Sequence, residues 1–281
     1  MNSKFLNIEN YSSSLFSKDG ILFSKKESKI SYPETGNEFC FQIEDSSFWF
    51  KHRNSCIIEA VKKYRPESAF FDIGGGNGFV AKGLEDQGIS TVLVEPGYLG
   101  CLNARNRGLK NIICSTIENA SLIDGSIEAI GLFDVVEHIE NDVNFLKSIN
   151  VLLKKDGIVF ISVPSYKVLW SKEDVSAGHF RRYTLKKIEE KLKNTGFSIE
   201  YSTYIFSFLP IPIFLFRSIP GWFGLHKTSN NNDKQKSEHK LKNGLVQKLL
   251  NRILDFEITK IKKGTKLRFG GSCFIIAKKL S

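Results

Sequence analysis

The stretch "AFFDIGGGNGFVAKGL", residues 69–84, decides how this chain folds. An apolar run ends in an acid, Asp72. Glycines follow at 74, 75, 76 and 78, and a short amphipathic segment comes after them. Glycine admits positive φ and lets another group approach the backbone closely. A strand, a tight turn and a helix are therefore expected, with a ligand against the turn. The pattern Gly74-x-Gly76-x-Gly78 is not the G-x-G-x-x-G of a dinucleotide site, because its last glycine would fall on Phe79. Nor does it end in the Gly-Lys-Ser/Thr of a phosphate-binding loop. It fits a nucleoside ligand that lacks a pyrophosphate. Glu95 ends the next apolar run, "STVLVEP", about 20 residues on, where an acid can accept both hydroxyls of a ribose.

The same rhythm continues outward. "NIICST", "IEAIGLFDVV", "IVFISVPS" and "SIEYSTYIFSF" read as further strands, with amphipathic helices between them. Continuous apolar strands of this kind belong to a parallel sheet covered on both faces. Gly88, Gly157 and Gly196 are expected to end helices, and Asn141 to cap one. Ser46 or Ser47 caps a preceding helix with Phe50, Ile57, Ile58 and Val61 on its inner side. The first 46 residues are weakly patterned and read only as an arm or cap.

"FFDIGGGNG", "VLVEP", "IGLFDVVEHIEND" and "LKKDGIVFISVPS" resemble the motifs of class I S-adenosylmethionine-dependent methyltransferases. Within that family the likeness is to the branch acting on small molecules, including quinone-type and glycan-cluster enzymes. It implies an α/β fold with a doubly wound, seven-stranded, mostly parallel Rossmann-like sheet and an antiparallel last strand. The chain then divides into an arm (1–46), a methyltransferase core (47–206), an insertion between strands six and seven (207–270) and the last core strand (271–281). By position, the resemblance implies S-adenosylmethionine as cofactor. Asp72, Gly74, Gly76 and Gly78 would lie under its methionine and ribose, and Glu95 would hold the ribose. Ser115, Thr116 and Ile117 would meet the adenine, and Phe133 and Asp134 the methionine. At the third-strand exit, where the family often carries an acid for the adenine amino group, the chain reads "CSTIEN", with Glu118 as a displaced candidate.

Two stretches are placed to meet the methyl acceptor. "EHIEND" carries His138, a candidate base or else part of a structural turn with Glu137. "YKVLWSKEDVSAGHFRRYT" concentrates Trp170, Asp174, His179, Arg181, Arg182 and Tyr183. It reads as an acceptor loop, in which arginines clamp an anion, aromatics cover a ring, and His179 or Asp174 takes a proton. The alternative is an ion-paired lid with Thr184 as helix cap. "FWFKHRN" is either a flap over the cofactor or ordinary core. No compact His/Cys/carboxylate set is visible in the sequence, so no metal is expected.

The net charge of +10 resides from Lys227 onward, and the first 226 residues balance. Five cysteines without a CxxC pair point to a reducing compartment, and the expected location is the cytoplasm. "YIFSFLPIPIFLFRSIPGWFGL" is apolar, but Pro210, Pro212, Pro220 and Arg217 interrupt it as a spanning helix. "LVQKLLNRILDFEITKIKK" is an amphipathic helix with Val246, Leu249, Leu250 and Ile253 on one face and lysines beside it. The two segments form an interfacial membrane anchor, or else pack together to cover the sheet or make a dimer. The expected acceptor is thus a small molecule, sugar or lipid-linked group, methylated at oxygen. Nucleic-acid methylation through the basic tail is the first rival, against which the chain has "FDVVEH" where amino-directed DNA enzymes carry a Pro-Pro-aromatic motif. A non-catalytic cofactor-binding module is the second.

Overall fold

The computed structural model describes residues 6–26, 34–64, 66–222 and 244–280. Its strands are β1 (Leu15–Lys18), β2 (Ile21–Ser24), β3 (Phe70–Ile73), β4 (Thr91–Glu95), β5 (Ile112–Cys114), β6 (Ile127–Phe133), β7 (Leu153–Pro164), β8 (Phe197–Ile205) and β9 (Ser272–Lys279). They form one sheet in the order β1-β2-β5-β4-β3-β6-β7-β9-β8. From β5 to β7 the pairing is parallel. β9 runs antiparallel between β7 and β8.

The sheet has nine strands, not seven. The seven expected ones, β3 to β9, are joined by a hairpin from the arm: β2 pairs parallel with β5, and β1 antiparallel with β2. Asp19 and Gly20 make the turn between them, both at positive φ (51° and 75°). Asp-Gly between two apolar runs is a strong hairpin signal, and the weak patterning around it concealed it.

Helices cover both faces. On one lie α1 (Glu34–Ile43), α2 (Phe48–Tyr64), α3 (Phe79–Glu85) and α4 (Tyr98–Asn106); on the other, α5 (Asp142–Leu152) and α7 (Leu185–Asn194). A short α6 (Lys172–Ser176) sits in the loop after β7. Phe145, Leu146, Ile149, Ile188 and Leu192 pack against one side of the strands. Ile57, Val61, Val80 and Leu84 pack against the other. Ser47 receives the N–H groups of Trp49 and Phe50 and so begins α2. The buried face of α2 differs from the expected one: His52, Cys56, Ile57, Ala60 and Val61 are buried, whereas Phe50 and Ile58 are half-buried. Gly157 does not end α5. That helix stops at Leu152, and Gly157 lies inside β7, at a register shift between β6 and β7.

Between β8 and β9 the chain leaves the sheet. Short helices α8 (Pro210–Ile213) and α9 (Ile219–Trp222) flank a π-helical turn, Phe214–Ser218. The wider turn suits Pro220, whose ring has no N–H to give and would clash in a regular α-helix. Then α10 (Leu245–Lys262) packs on α2. Its buried face carries Leu250, Leu254, Glu257 and Ile261. Leu249, expected on that face, is 61% exposed instead. Leu250 of the expected face is buried and Ile253 half-buried, while Val246 lies outside the described side chains.

Candidate active site

The glycines after β3 do different jobs. Gly74 has φ +68°, and its N–H reaches the Val94 carbonyl at 2.7 Å. A Cβ there would meet Val135 at 2.8 Å, so this loop packs directly on the residue that follows Asp134. Gly78, at φ +71°, begins α3, and a Cβ on it would strike Leu109 at 2.5 Å and Ala104 at 2.9 Å. Its role is close helix packing. Gly76, at φ +54°, has only Asn37 Oδ1 within reach, at 3.8 Å. The open backbone needed beside a ligand is at Gly76.

Glu95 is turned onto that loop. Its carboxylate accepts the Gly76 N–H at 2.9 Å and the Gly97 N–H at 2.7 Å. Burial pushes it up to about 7, against those two donors. Asp72, 1% exposed, is also pushed up to about 7 by burial, against the pull of Arg53 and the Ala81 N–H. Neither Asp72 oxygen makes a regular hydrogen bond among the described residues. Two buried carboxylates without a cation between them suit a ligand that brings hydroxyl donors and positive charge.

Beyond β5, Ser115 and Thr116 lie at the strand exit, but the Ile117 side chain turns into the core. Phe133 does likewise: its ring stacks on Phe70 at 6.3 Å within the core. Asp134 lies just past β6 at φ +57°. It is ion-paired with Arg53 of α2 and accepts from Ser162 Oγ at 3.1 Å.

Three residues of this cleft have no counterpart in the sequence reading. Asn37 of α1 lies over Gly76 and Gly97, and its carbonyl accepts from the Asn77 side chain at 2.9 Å. Glu44 is held by Asn77 and Arg107, which ties α1 to the glycine loop. Arg53 stacks over Trp49 and Phe50 as it reaches Asp134. Of these, only Arg53 lay in a stretch already suspected, "FWFKHRN". Trp49 itself stacks flat on Phe206 at 5.4 Å and belongs to the packing there.

The loop after β7 is folded as an ion-paired lid. Arg181 donates to the carbonyls of Ile139 (2.9 Å) and Glu140 (2.7 Å) and pairs with Asp142. Arg182 pairs with Asp174 at 2.8 Å and donates to the Ser165 carbonyl. Tyr183 is buried, with its hydroxyl on Asp142 at 2.7 Å. These three are engaged by the protein itself, the arrangement of the ion-paired lid that was the alternative to an acceptor clamp. Trp170 remains half-buried at the end of a 3-10 turn, Lys167–Leu169.

Asp174 is part of the same lid. It is buried and receives Ser171 N–H, His179 Nδ1 (2.9 Å) and Arg182. Burial works against its charge, yet His179 and Arg182 hold it down at about 2. Its bond to Nδ1 orients the His179 ring. The His179 ring meets that of His138 edge to face at 4.7 Å. Burial, and then His179, push His138 down to about 4, so it is neutral at pH 7 and a weak base. Beside them Glu137 is fully buried. Burial and Asp134 raise it well above the usual carboxylate range.

A family model described as a methyltransferase domain matches residues 50–202. The chain belongs to this methyltransferase family. A probable S-adenosylmethionine-dependent methyltransferase of Mycolicibacterium smegmatis is 20% identical over 177 residues, spanning 62% of this chain and 68% of that one. Among solved structures, a Thermotoga maritima methyltransferase described as a possible histamine N-methyltransferase superposes with a TM-score of 0.54 and 17% identity, over 87% of this chain and 95% of that one. Phosphoethanolamine N-methyltransferase 2 of Haemonchus contortus, solved with S-adenosyl-L-methionine, gives 0.53 and 18%, over 90% of this methyltransferase and 59% of that chain. This methyltransferase therefore uses S-adenosylmethionine, and its cleft fits that cofactor: an open glycine backbone, a buried acid, Glu95, turned onto it, and a second buried carboxylate, Asp72.

Proposed function

We propose that the enzyme methylates an oxygen of a small-molecule, sugar or lipid-linked acceptor, working at a membrane surface. S-adenosylmethionine supplies a methyl group on a sulfonium that is already electrophilic. Gly74, Gly76 and Asp72 hold its methionine end, Glu95 its ribose, and Ser115 and Thr116 border its adenine. Asn37 closes over the ribose from α1. The acceptor enters between the post-β6 turn and the lid, where Trp170 offers a ring face.

The observation that carries the oxygen assignment is the His138–His179 pair, with His179 fixed by Asp174. An oxygen nucleophile must lose a proton, and two oriented imidazoles can promote that either by taking it or by holding a cation that makes the hydroxyl more acidic. The membrane reading is supported by α10. Flanking its buried face, Leu249, Ile253 and Phe256 form a second apolar stripe, beside exposed Lys248 and Arg252. Ile211 and Leu215 of the same insertion are exposed as well. No helix among the described residues is long and apolar enough to cross a membrane, so any contact would be interfacial.

The test is incubation of the enzyme with methyl-labelled cofactor and fractionated lipid and glycan extracts. A product heavier by one methylene, with the label on oxygen, is the expected outcome. Label transferred only to nucleic acid, and removed by nuclease, would replace this reading.

A further inference from the structure

Glu137, His138 and His179 each offer one ligand atom, and these atoms all lie within 4.8 Å of one another. Sequence spacing hides the group, because His179 comes from the lid and the other two from the 3-10 turn Val136–His138. One backbone bond ties the two segments together, the Phe180 N–H donating to the Glu137 carbonyl at 2.8 Å, and within the lid the His179 N–H donates to the Asp174 carbonyl at 2.9 Å.

The Glu137 carboxylate is the unusual member. It is 0% exposed, and neither oxygen has a hydrogen-bond partner among the described residues. A buried carboxylate left this way costs several kcal/mol unless it is neutralised. Two guanidinium groups lie near enough to act on it, but Arg53 is paired with Asp134 and Arg182 with Asp174. His179 Nδ1 is engaged by Asp174, which leaves Nε2 as its ligand atom. A carboxylate behind a histidine that faces a cation is the common supporting arrangement of metal sites. Two imidazoles and one carboxylate suit divalent transition ions better than Mg²⁺ or Ca²⁺.

We propose that Glu137, His138 and His179 bind one divalent transition-metal ion, with Asp174 as the residue that positions His179. This deepens the acceptor reading above and rests on it for its purpose. Glu137 and His138 follow Val135, which packs on the Gly74 loop, so the ion would lie on the side of the cleft where the methyl donor is proposed. It would take the acceptor through oxygen, favouring a pair of vicinal hydroxyls that can chelate. The bound hydroxyl gives its proton to solvent, because the ion's charge lowers its pKa. The oxygen then bonds to the methyl carbon as the carbon–sulfur bond breaks, and the sulfur keeps the electron pair. His179 serves in this arrangement as a ligand, not as the base.

The experiment needs no acceptor. The whole protein is stripped with EDTA, desalted and titrated with MnCl₂, and unbound Mn²⁺ is read by electron paramagnetic resonance. One equivalent should bind, Zn²⁺ should displace it, and Mg²⁺ should compete poorly. Glu137→Gln and His179→Ala should each weaken Mn²⁺ by about tenfold or more, with folding checked by circular dichroism. Glu95→Ala should lose cofactor affinity but keep Mn²⁺, which separates failure of the metal site from failure of the cofactor cleft. Absence of stoichiometric Mn²⁺ and Zn²⁺ binding overturns the proposal. So does wild-type Mn²⁺ affinity in both ligand variants. Stoichiometric binding that leaves methyl transfer unchanged after chelation overturns the acceptor role.

Discussion

The Glu257 carboxylate of α10 lies 2.9 Å from His52 Nε2 of α2, and both side chains are buried. The same carboxylate accepts the N–H groups of Phe206 (2.8 Å) and Ser207 (2.6 Å). Phe206 sits at φ +59°, a strained conformation for an aromatic residue. Such strain costs about 1–3 kcal/mol and persists only where neighbours impose it. One acid thus joins the insertion to the core and holds the chain where it leaves β8.

Glu257→Ala should therefore destabilise the protein by about 3–5 kcal/mol, the usual cost of stranding one partner of a buried pair. Urea unfolding measures it, and a loss below ~1 kcal/mol would refute the anchoring role. Burial works against the charge of Glu257, but His52 and Ser207 hold its pKa below the ordinary value. Its contribution is complete above the unfolded-state pKa and disappears as pH falls through the folded one.

Cofactor affinity should depend on pH with the opposite logic. Asp72 and Glu95 are both raised to about 7. In the free protein they favour the protonated form, so their contribution to stability declines as pH rises from the ordinary carboxylate range through about 7. A ribose donating to Glu95 and a cationic sulfonium favour the ionised form. Binding should release protons below about pH 7, and affinity should fall by up to about tenfold per pH unit there for each group coupled to binding. Calorimetry in buffers of different ionisation heat counts those protons. A flat affinity between about pH 6 and 8 would contradict the assignment.

Two glycine substitutions should differ in cost. Gly88→Ala meets no atom within 4 Å and suffers only its positive φ of 76°, about 1 kcal/mol. Gly78→Ala carries the same backbone strain and also strikes Leu109 and Ala104. It should cost about 2 kcal/mol or more. Equal melting temperatures for the two variants would show that α3 and α4 are less tightly packed than described.

Flotation with liposomes tests the membrane surface. Binding should increase with anionic lipid and decrease with salt. Leu249→Asp together with Phe256→Asp should abolish it while leaving the inner face of α10 intact. Failure of the wild type to float with anionic vesicles at low salt would remove the membrane reading.

What the sequence disclosed follows from how local each feature is. The glycine loop, Glu95 and the alternating strands are contiguous patterns, each tied to a backbone need, and they were legible. The loop after β7 left two readings open, acceptor clamp or ion-paired lid, because a sequence shows charge without showing its partner. Arg181, Arg182 and Tyr183 look like substrate groups until Ile139, Ser165 and Asp142 are seen to satisfy them. Asn37 lay in a weakly patterned arm, where nothing marks one asparagine among several. The Glu137–His138–His179 cluster joins distant segments that only the fold brings together.

The position of β9 also sets an order in time. It lies between β7 and β8 and bonds to both, yet residues 206–271 must be synthesised before it appears. Until β9 leaves the ribosome, β8 has no neighbour, and β7 presents a long unpaired edge. Such edges invite pairing between nascent chains. The nascent enzyme therefore passes through a window in which its most apolar strands wait for their central partner. During that wait the inserted segment, already emerged, is the element available to shelter them.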